Sequence, residues 1–387
     1  MLPVSVHCAE DILSKGKQVM AKTLNCASRT KFQSSVEKAS TARLAFKCIS
    51  ALIVCMTAMF CLSTSAAAAS PGYHLLKTYK VGGEGGWDYL LMDPASRHLY
   101  ISRGTHVIVL DADSGKTVGD IPDTPGVHGI ALAPELGRGF TSNGREGTVS
   151  IFDLKSLKVL DKVKVGENPD AIVYDPATKR VFTMNGRSGD ASAIDAASGK
   201  VVGTIPLNGK PEFAVTDEHG KLFVNLEDKS ELLEVDPAKL SVTAQWPLAP
   251  CESPSGLAID RKHHRLFSVC RNQMMAVVDA NSGKVIATPV IGNGPDAARF
   301  DASAGLAFAS CGEGVLTIVH EDSPEKFSVV QNVTTQRGAR TMALDSKTHN
   351  IFLVTAQFGP AAAPTPGMPR SRPTIVPDSF VVLVVGR

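Results

Sequence analysis

Short runs of alternating apolar and polar residues fill the chain from residue 73 onward, separated by Asp, Pro, Gly and Asn. This two-residue alternation predicts half-buried β-strands, and no helical spacing competes with it. In NPDAIVYDPATKRVFTMN (168–185) one alternating run, an Asp-Pro turn and a second run form a unit that the chain then repeats. Aligned on the turn residue, the copies fall at Asp93, Ala133, Asp175, Asp217, Asp260, Asp301 and Asp345, separated by 40, 42, 42, 43, 41 and 44 residues. A period near 42 residues predicts one four-stranded blade per repeat. An aromatic follows each turn at nearly fixed offset (Tyr100, Phe140, Phe182, Phe223, Phe267, Phe308, Phe352) and is expected to fill the space between blades. The segments DADSGK (111–116), DAASGK (195–200) and DANSGK (279–284) supply the turn between third and fourth strands.

Seven turn residues predict seven blades, yet after Phe352 only FVVLVV (380–385) reads as a clear strand. The missing fourth strand is expected from YHLLKTYKV (73–81), so that the N-terminal strand closes the last blade and no whole-ring edge is left open. The fold class is therefore all-β, a seven-bladed β-propeller spanning 70–387.

The first 69 residues change the picture of location. A basic stretch ends at Lys47, CISALIVCMTAMFCL (48–62) is apolar and uncharged, and STSAAAAS (63–70) offers small residues for cleavage after Ala69. This reads as a signal sequence with a long n-region, a second start being available at Met20, and predicts a periplasmic or secreted protein. Uncleaved, the same stretch is just long enough to anchor the chain in a membrane. Lys and Arg number 40 and Asp and Glu 38; the leader holds 8 and 3 of them, leaving 32 basic against 35 acidic groups. The folded part is thus mildly acidic and carries no clear nucleic-acid footprint, and a monomer is expected.

Five of the eight cysteines lie in the leader, leaving Cys251, Cys270 and Cys311. Cys251 leads into blade 5 and Cys270 ends the second strand of that blade, which predicts a Cys251–Cys270 disulfide with Cys311 left over. A Cys270–Cys311 bridge is the competing pairing, since bridging depends on Cα separation.

Chemistry is sought where the copies differ. Five residues before each turn residue, at the expected mouth of the central channel, stand Asp88, His128, Asp170, Glu212, Ser255, Asp296 and Arg340. Such a ring can hold a polar small molecule, bind a divalent cation through oxygens, or raise one carboxylate's pKa by mutual repulsion. It can also consist of turn-capping side chains only. Arg299 occupies a position that is apolar in the other blades, and is expected either to pair with Glu252 or Glu313 or to grip an anion. Arg103, Arg145, Arg187 and Arg271 are expected in loops on the ring's face, and the Pro-rich QFGPAAAPTPGMPRSRPTIVPDS (357–379), unable to pair as a sheet, as an extended arm that lies across the channel mouth or reaches a partner, or as an inert solvated loop. His219 and the pair His263-His264 read as solvated turn residues. No nucleophile elbow, zinc-protease, Walker A or haem-attachment motif is present, and no cofactor is evident beyond a possible divalent cation.

The segments FTSN (140–143) and FTMN (182–185), with YISR (100–103) and FLVT (352–355) as weaker variants, resemble the signature of the YVTN-repeat propellers. The lead-in Gly166–Asp170 and SGKVVGTIP (198–206) fit the same family, whose exported members include the YncE-like proteins. Trp87 and Trp246 are too few for quinoprotein or sialidase propellers, and Trp87-Asp88 precedes its blade instead of ending a third strand. The resemblance implies the fold and no single activity. Three readings follow. The leading one is a non-catalytic propeller that binds a small molecule, cation or protein partner at the channel face. The alternative is a lactonase-type hydrolase of a sugar lactone, with His128 or Glu212 activating water and Arg299 or Arg340 holding the acid group. The third, an electron-transfer subunit, lacks a haem or quinone ligand here and needs a partner subunit.

Overall fold

A computed structural model describes residues 72–360 and 373–387. The leader with its apolar segment 48–62, and residues 361–372 of the Pro-rich arm, lie outside the described residues.

The described residues form seven four-stranded antiparallel sheets. In blades 1 to 6 the strands follow chain order from the channel outward, and the innermost strands include Leu90–Asp93, Val127–Ala133, Pro169–Asp175 and Pro295–Asp301. Blade 7 runs Met342–Leu344, Ile351–Thr355, Val381–Gly386 and then His74–Lys80, taken from the other end of the chain. The closing register pairs His74 with Gly386 and Lys80 with Val381.

Burial explains the order of composition across a blade. Second strands such as Arg265–Cys270 and Leu306–Cys311 are buried at every position, whereas the outermost strand His74–Lys80 is almost wholly exposed. The seven repeated aromatics are all buried. They bridge blades as expected: Tyr100 lies 6.1 Å from Phe152 of blade 2, and Phe267 stacks at 4.9 Å on Phe300 of blade 6.

Polar repeat positions have equally specific tasks. In FTSN and FTMN the Thr hydroxyl donates to the Asn side chain two residues on, Thr141 to Asn143 and Thr183 to Asn185, each at 3.0 Å. The Asn amide then donates 2.9 Å to a third-strand serine, Ser150 or Ser192. Buried polar groups are thereby satisfied while second and third strands are zipped together. The turn Asp residues accept a backbone N–H two residues ahead, as from Ala95 to Asp93 and Ser303 to Asp301, both at 3.0 Å. Gly283, the glycine of DANSGK, has φ of 72°, and a Cβ there would come within 2.1 Å of the Trp246 ring on blade 4. Only glycine meets both requirements.

Cys251 and Cys270 are joined by a disulfide, with Cα atoms 5.7 Å apart, and Cys311 is free and buried. The bridge closes a loop of 19 residues, for which chain-entropy reasoning gives about 3 kcal/mol. Replacing both cysteines by serine is expected to lower the unfolding free energy by that order, measured by urea denaturation. An unchanged midpoint would show that the bridge constrains nothing.

Candidate functional site

The ring positions are set by hydrogen bonds between blades. Thr341 of blade 7 donates to the Asp88 carbonyl (2.6 Å), Asn225 of blade 4 to that of Ser255 (2.8 Å), and Ser255 of blade 5 to that of Asp296 (3.0 Å). Ser142 and Ser310 bind the carbonyls of Asp170 and Arg340 in the same way. The backbone at five of the seven ring residues is thus tied to a neighbouring blade, and the side chains are brought together at one end of the channel.

Six of the seven side chains form a continuous arc. Ser255 Oγ donates to Asp296 Oδ1 (3.0 Å); the Arg340 guanidinium bridges Asp296 and Asp88, the latter at 3.3 Å. Asp88 Oδ2 lies 2.6 Å from His128 Nδ1, and Asp170 Oδ1 lies 3.7 Å from that nitrogen. Glu212 is offset beside Lys210, whose Nζ stands 3.5 Å away and also pairs with Glu227. Lys210 has no counterpart among the seven aligned positions, so only its place two residues before Glu212 hinted at this role.

Electrostatics follow from this crowding. Burial opposes charge on His128, but its hydrogen bond to Asp88 and the charges of Asp170, Asp88 and Glu212 prevail, and its pKa is raised to about 9. Burial, with repulsion from Asp88 against the pull of His128, raises Asp170 to about 6. Burial, with repulsion from Asp170, raises Glu212 to about 7 despite Lys210. Among the described residues neither the Asp170 nor the Glu212 carboxylate accepts a hydrogen bond that meets ordinary geometry, only the looser ionic contacts at 3.7 and 3.5 Å. A merely turn-capping carboxylate would accept backbone N–H groups.

Below the ring a channel cavity of about 320 Å³ is lined by Tyr89, Phe213 and Arg299 among others. Arg299 pairs with neither Glu252 nor Glu313 among the described residues, contrary to the ion-pair expectation. Its Nη1 donates 2.8 Å to the adjacent Ala298 carbonyl and its guanidinium lies 5.5 Å from the Phe213 ring. Deep placement lowers its pKa, although channel space reaches the side chain. At the ring's own mouth a pocket of about 580 Å³ is lined by Trp87, Arg337, Arg340 and Phe358. Its charged side chains, Arg337 and Arg340, are both hydrogen-bond donors.

Three expectations are corrected. Arg103 lies in the expected loop but does not face the solvent: it is buried, donates to the carbonyls of Gly82 (3.3 Å) and Glu84 (2.7 Å) and lies 3.7 Å over Phe380. Burial lowers its pKa to about 10. The loop GGEGG (82–86) folds over it and supplies those carbonyls, which the spacing did not reveal. The Pro-rich arm is paired at its base, where Gly359 N–H donates to Thr374 O (2.8 Å) and Val376 N–H to Gln357 O (2.9 Å). That stem places Phe358, Pro373 and Ile375 on the mouth pocket. His263 is not a solvated turn residue, because its Nδ1 lies against Asp260 and Glu321. Arg145, Arg187 and His219 are exposed, as expected.

In structure the chain is similar to Kuenenia stuttgartiensis hydrazine synthase, with a TM-score of 0.63 and 16% identity over 70% of this chain and 94% of that one. It is similar also to U3-55K, with a TM-score of 0.67 and 9% identity over 81% of this chain and 99% of that one. Identities this low show the fold alone: the protein is a seven-bladed β-propeller. No protein-family model and no curated protein sequence matches the chain.

Proposed function

We propose that this is an exported, non-catalytic propeller of the YVTN-repeat type that binds a polar small molecule at the channel mouth. The observation that carries the reading is the pair of hydrogen-bond-deficient carboxylates, Asp170 and Glu212, half-enclosed at one mouth. Their missing partners are donors, which a ligand's hydroxyl or amino groups supply. The adjoining pocket offers the opposite complement, since Arg337 and Arg340 are donors suited to a ligand carboxylate. A polyhydroxylated acid satisfies both halves. Arg340, already between two carboxylates, disfavours a bare cation in the ring.

Export is supported by the leader and by the Cys251–Cys270 disulfide, which suits an oxidising compartment. Membership of the YVTN-repeat propellers is supported by the FTSN and FTMN segments and the Thr–Asn ladder they build. The fold itself fits a binding or scaffold role.

Thermal shift against sugar acids, sugar lactones, amino sugars and divalent cations tests the proposal. At least one sugar acid or amino sugar is expected to raise the melting temperature of the wild type and not of the Asp170→Asn, Glu212→Gln double variant. A double variant that keeps every response removes the ring from the account. Lactone turnover followed in parallel decides the hydrolytic alternative. With His128 protonated at neutral pH, Glu212 is the group placed to act as base. Turnover lost in Glu212→Gln would establish that alternative over simple binding.

A further inference from the structure

On the face of the propeller opposite the ring, the buried turn Asp of a blade commonly receives a donor from the next blade. Thr216 Oγ donates 2.6 Å to Asp175, Arg97 Nη1 donates 2.6 Å to Asp345, and His349 Nδ1 lies 2.7 Å from Asp301. The junction of blades 5 and 6 breaks this pattern. There the neighbour of Asp260 is another carboxylate, Glu321, from the third strand of blade 6, Val315–Ser323.

His263, in the turn after Asp260, places Nδ1 2.7 Å from Asp260 Oδ2 and 3.0 Å from Glu321 Oε1. The Asp260 and Glu321 side chains are only 3% and 4% exposed. Burial and the charge of Asp260 push the Glu321 pKa up. Yet His263 Nδ1 and Glu321 Oε1, both shielded from solvent, form no hydrogen bond. They are close enough for one but wrongly directed, so a buried carboxylate oxygen is left without a donor, at a cost of about 1–3 kcal/mol or more.

The three atoms instead converge on common space, all within 4.8 Å of one another. Nitrogen and oxygen ligands at about 2.1 Å from a first-row divalent ion sit roughly 3.0–3.4 Å apart, close to the 2.7 and 3.0 Å from His263 Nδ1 to the two carboxylates. One imidazole with two carboxylates suits zinc or manganese better than calcium, which takes oxygen ligands alone. We propose that Asp260, His263 and Glu321 form a site for a divalent transition-metal ion, of the zinc or manganese class, that fastens blade 5 to blade 6. The His263 side chain is one-third exposed, which puts the site close to the surface.

The test is isothermal titration of the chelator-treated protein with Zn²⁺ or Mn²⁺ alone, with Mn²⁺ followed also by electron paramagnetic resonance. One equivalent is expected to bind and to raise the melting temperature. Glu321→Gln and His263→Ala should each weaken binding about tenfold or more. Glu321→Gln keeps the side chain's shape, so its metal-free melting curve reports whether the fold survives. The Asp170→Asn, Glu212→Gln double variant, altered at the other mouth, should bind as the wild type does. No binding at about millimolar metal would overturn the site, leaving an ion pair only. Binding unchanged in both blade-5/6 variants, or lost only in the ring variant, would overturn it equally.

Discussion

Deletion of residues 72–80 is expected to convert the protein from a soluble, cooperatively melting propeller into aggregate. The strand His74–Lys80 is the outer member of blade 7 and holds three blades at once. On blade 6, Tyr73 packs edge-on against Phe308 at 5.3 Å, its N–H donates to Gln331 Oε1 (2.9 Å) and its carbonyl accepts from Gln331 Nε2 (2.7 Å). On blade 1, the Tyr79 hydroxyl donates to the carbonyls of Ala112 (3.2 Å) and Asp113 (2.9 Å). Its ring fills the space left by Gly115, where a Cβ would come within 2.2 Å. Without the strand, Val381–Gly386 becomes an exposed apolar edge, the kind that pairs with other chains. The loss is comparable with the whole stability of a typical domain, about 5–15 kcal/mol. Size-exclusion chromatography and calorimetry of the truncated protein measure it. A soluble truncation with an unchanged melting temperature would contradict the closure.

The second large effect is on pH dependence. Asp170 and Glu212 have folded pKa values of about 6 and about 7, above the ordinary carboxylate values of 3.8 and 4.5. Between pH 4 and 7 the folded state therefore holds more protons than the unfolded state, and stability falls as pH rises through this window. The full penalty is in place only above about pH 8, on the order of 3 kcal/mol for each carboxylate considered alone. His128, raised to about 9, acts in the same direction at higher pH: its stabilisation is complete below pH 6.5 and is lost as pH rises through 9. The Asp170→Asn, Glu212→Gln variant is expected to be more stable than the wild type at pH 8 and nearly equal to it at pH 4. Urea midpoints across that range report it. Turn-capping carboxylates predict the reverse, a double variant destabilised at pH 8 by loss of its backbone hydrogen bonds.

The two effects draw on different kinds of legibility. Blade number, the inter-blade aromatics and the closing strand were readable because each obeys the 42-residue period or completes it. The ring was readable for the same reason, as a fixed offset from Asp93, Asp175 and their equivalents. What a period does not encode is which side chain meets which across a blade junction. Arg340 bridges Asp296 and Asp88 because blades 6, 7 and 1 converge there. Arg103 starts the loop after His98–Ser102, as expected, but the preceding GGEGG loop covers it and Phe380 lies beneath. Glu321 reaches His263 from the third strand of the next blade, a contact that no local motif announces. The stem of the Pro-rich arm joins Gln357–Gly359 to Thr374–Val376 across the intervening segment, so its proline content misled about its ends.

Native mass spectrometry is the most direct test of the channel-mouth site. Wild type and the Asp170→Asn, Glu212→Gln variant would be purified in parallel and sprayed after incubation with the sugar acids and amino sugars of the thermal-shift panel. One retained small-molecule mass is expected on the wild type and none on the double variant, with both proteins folded. Equal retention on the two proteins, or none on either, would contradict it.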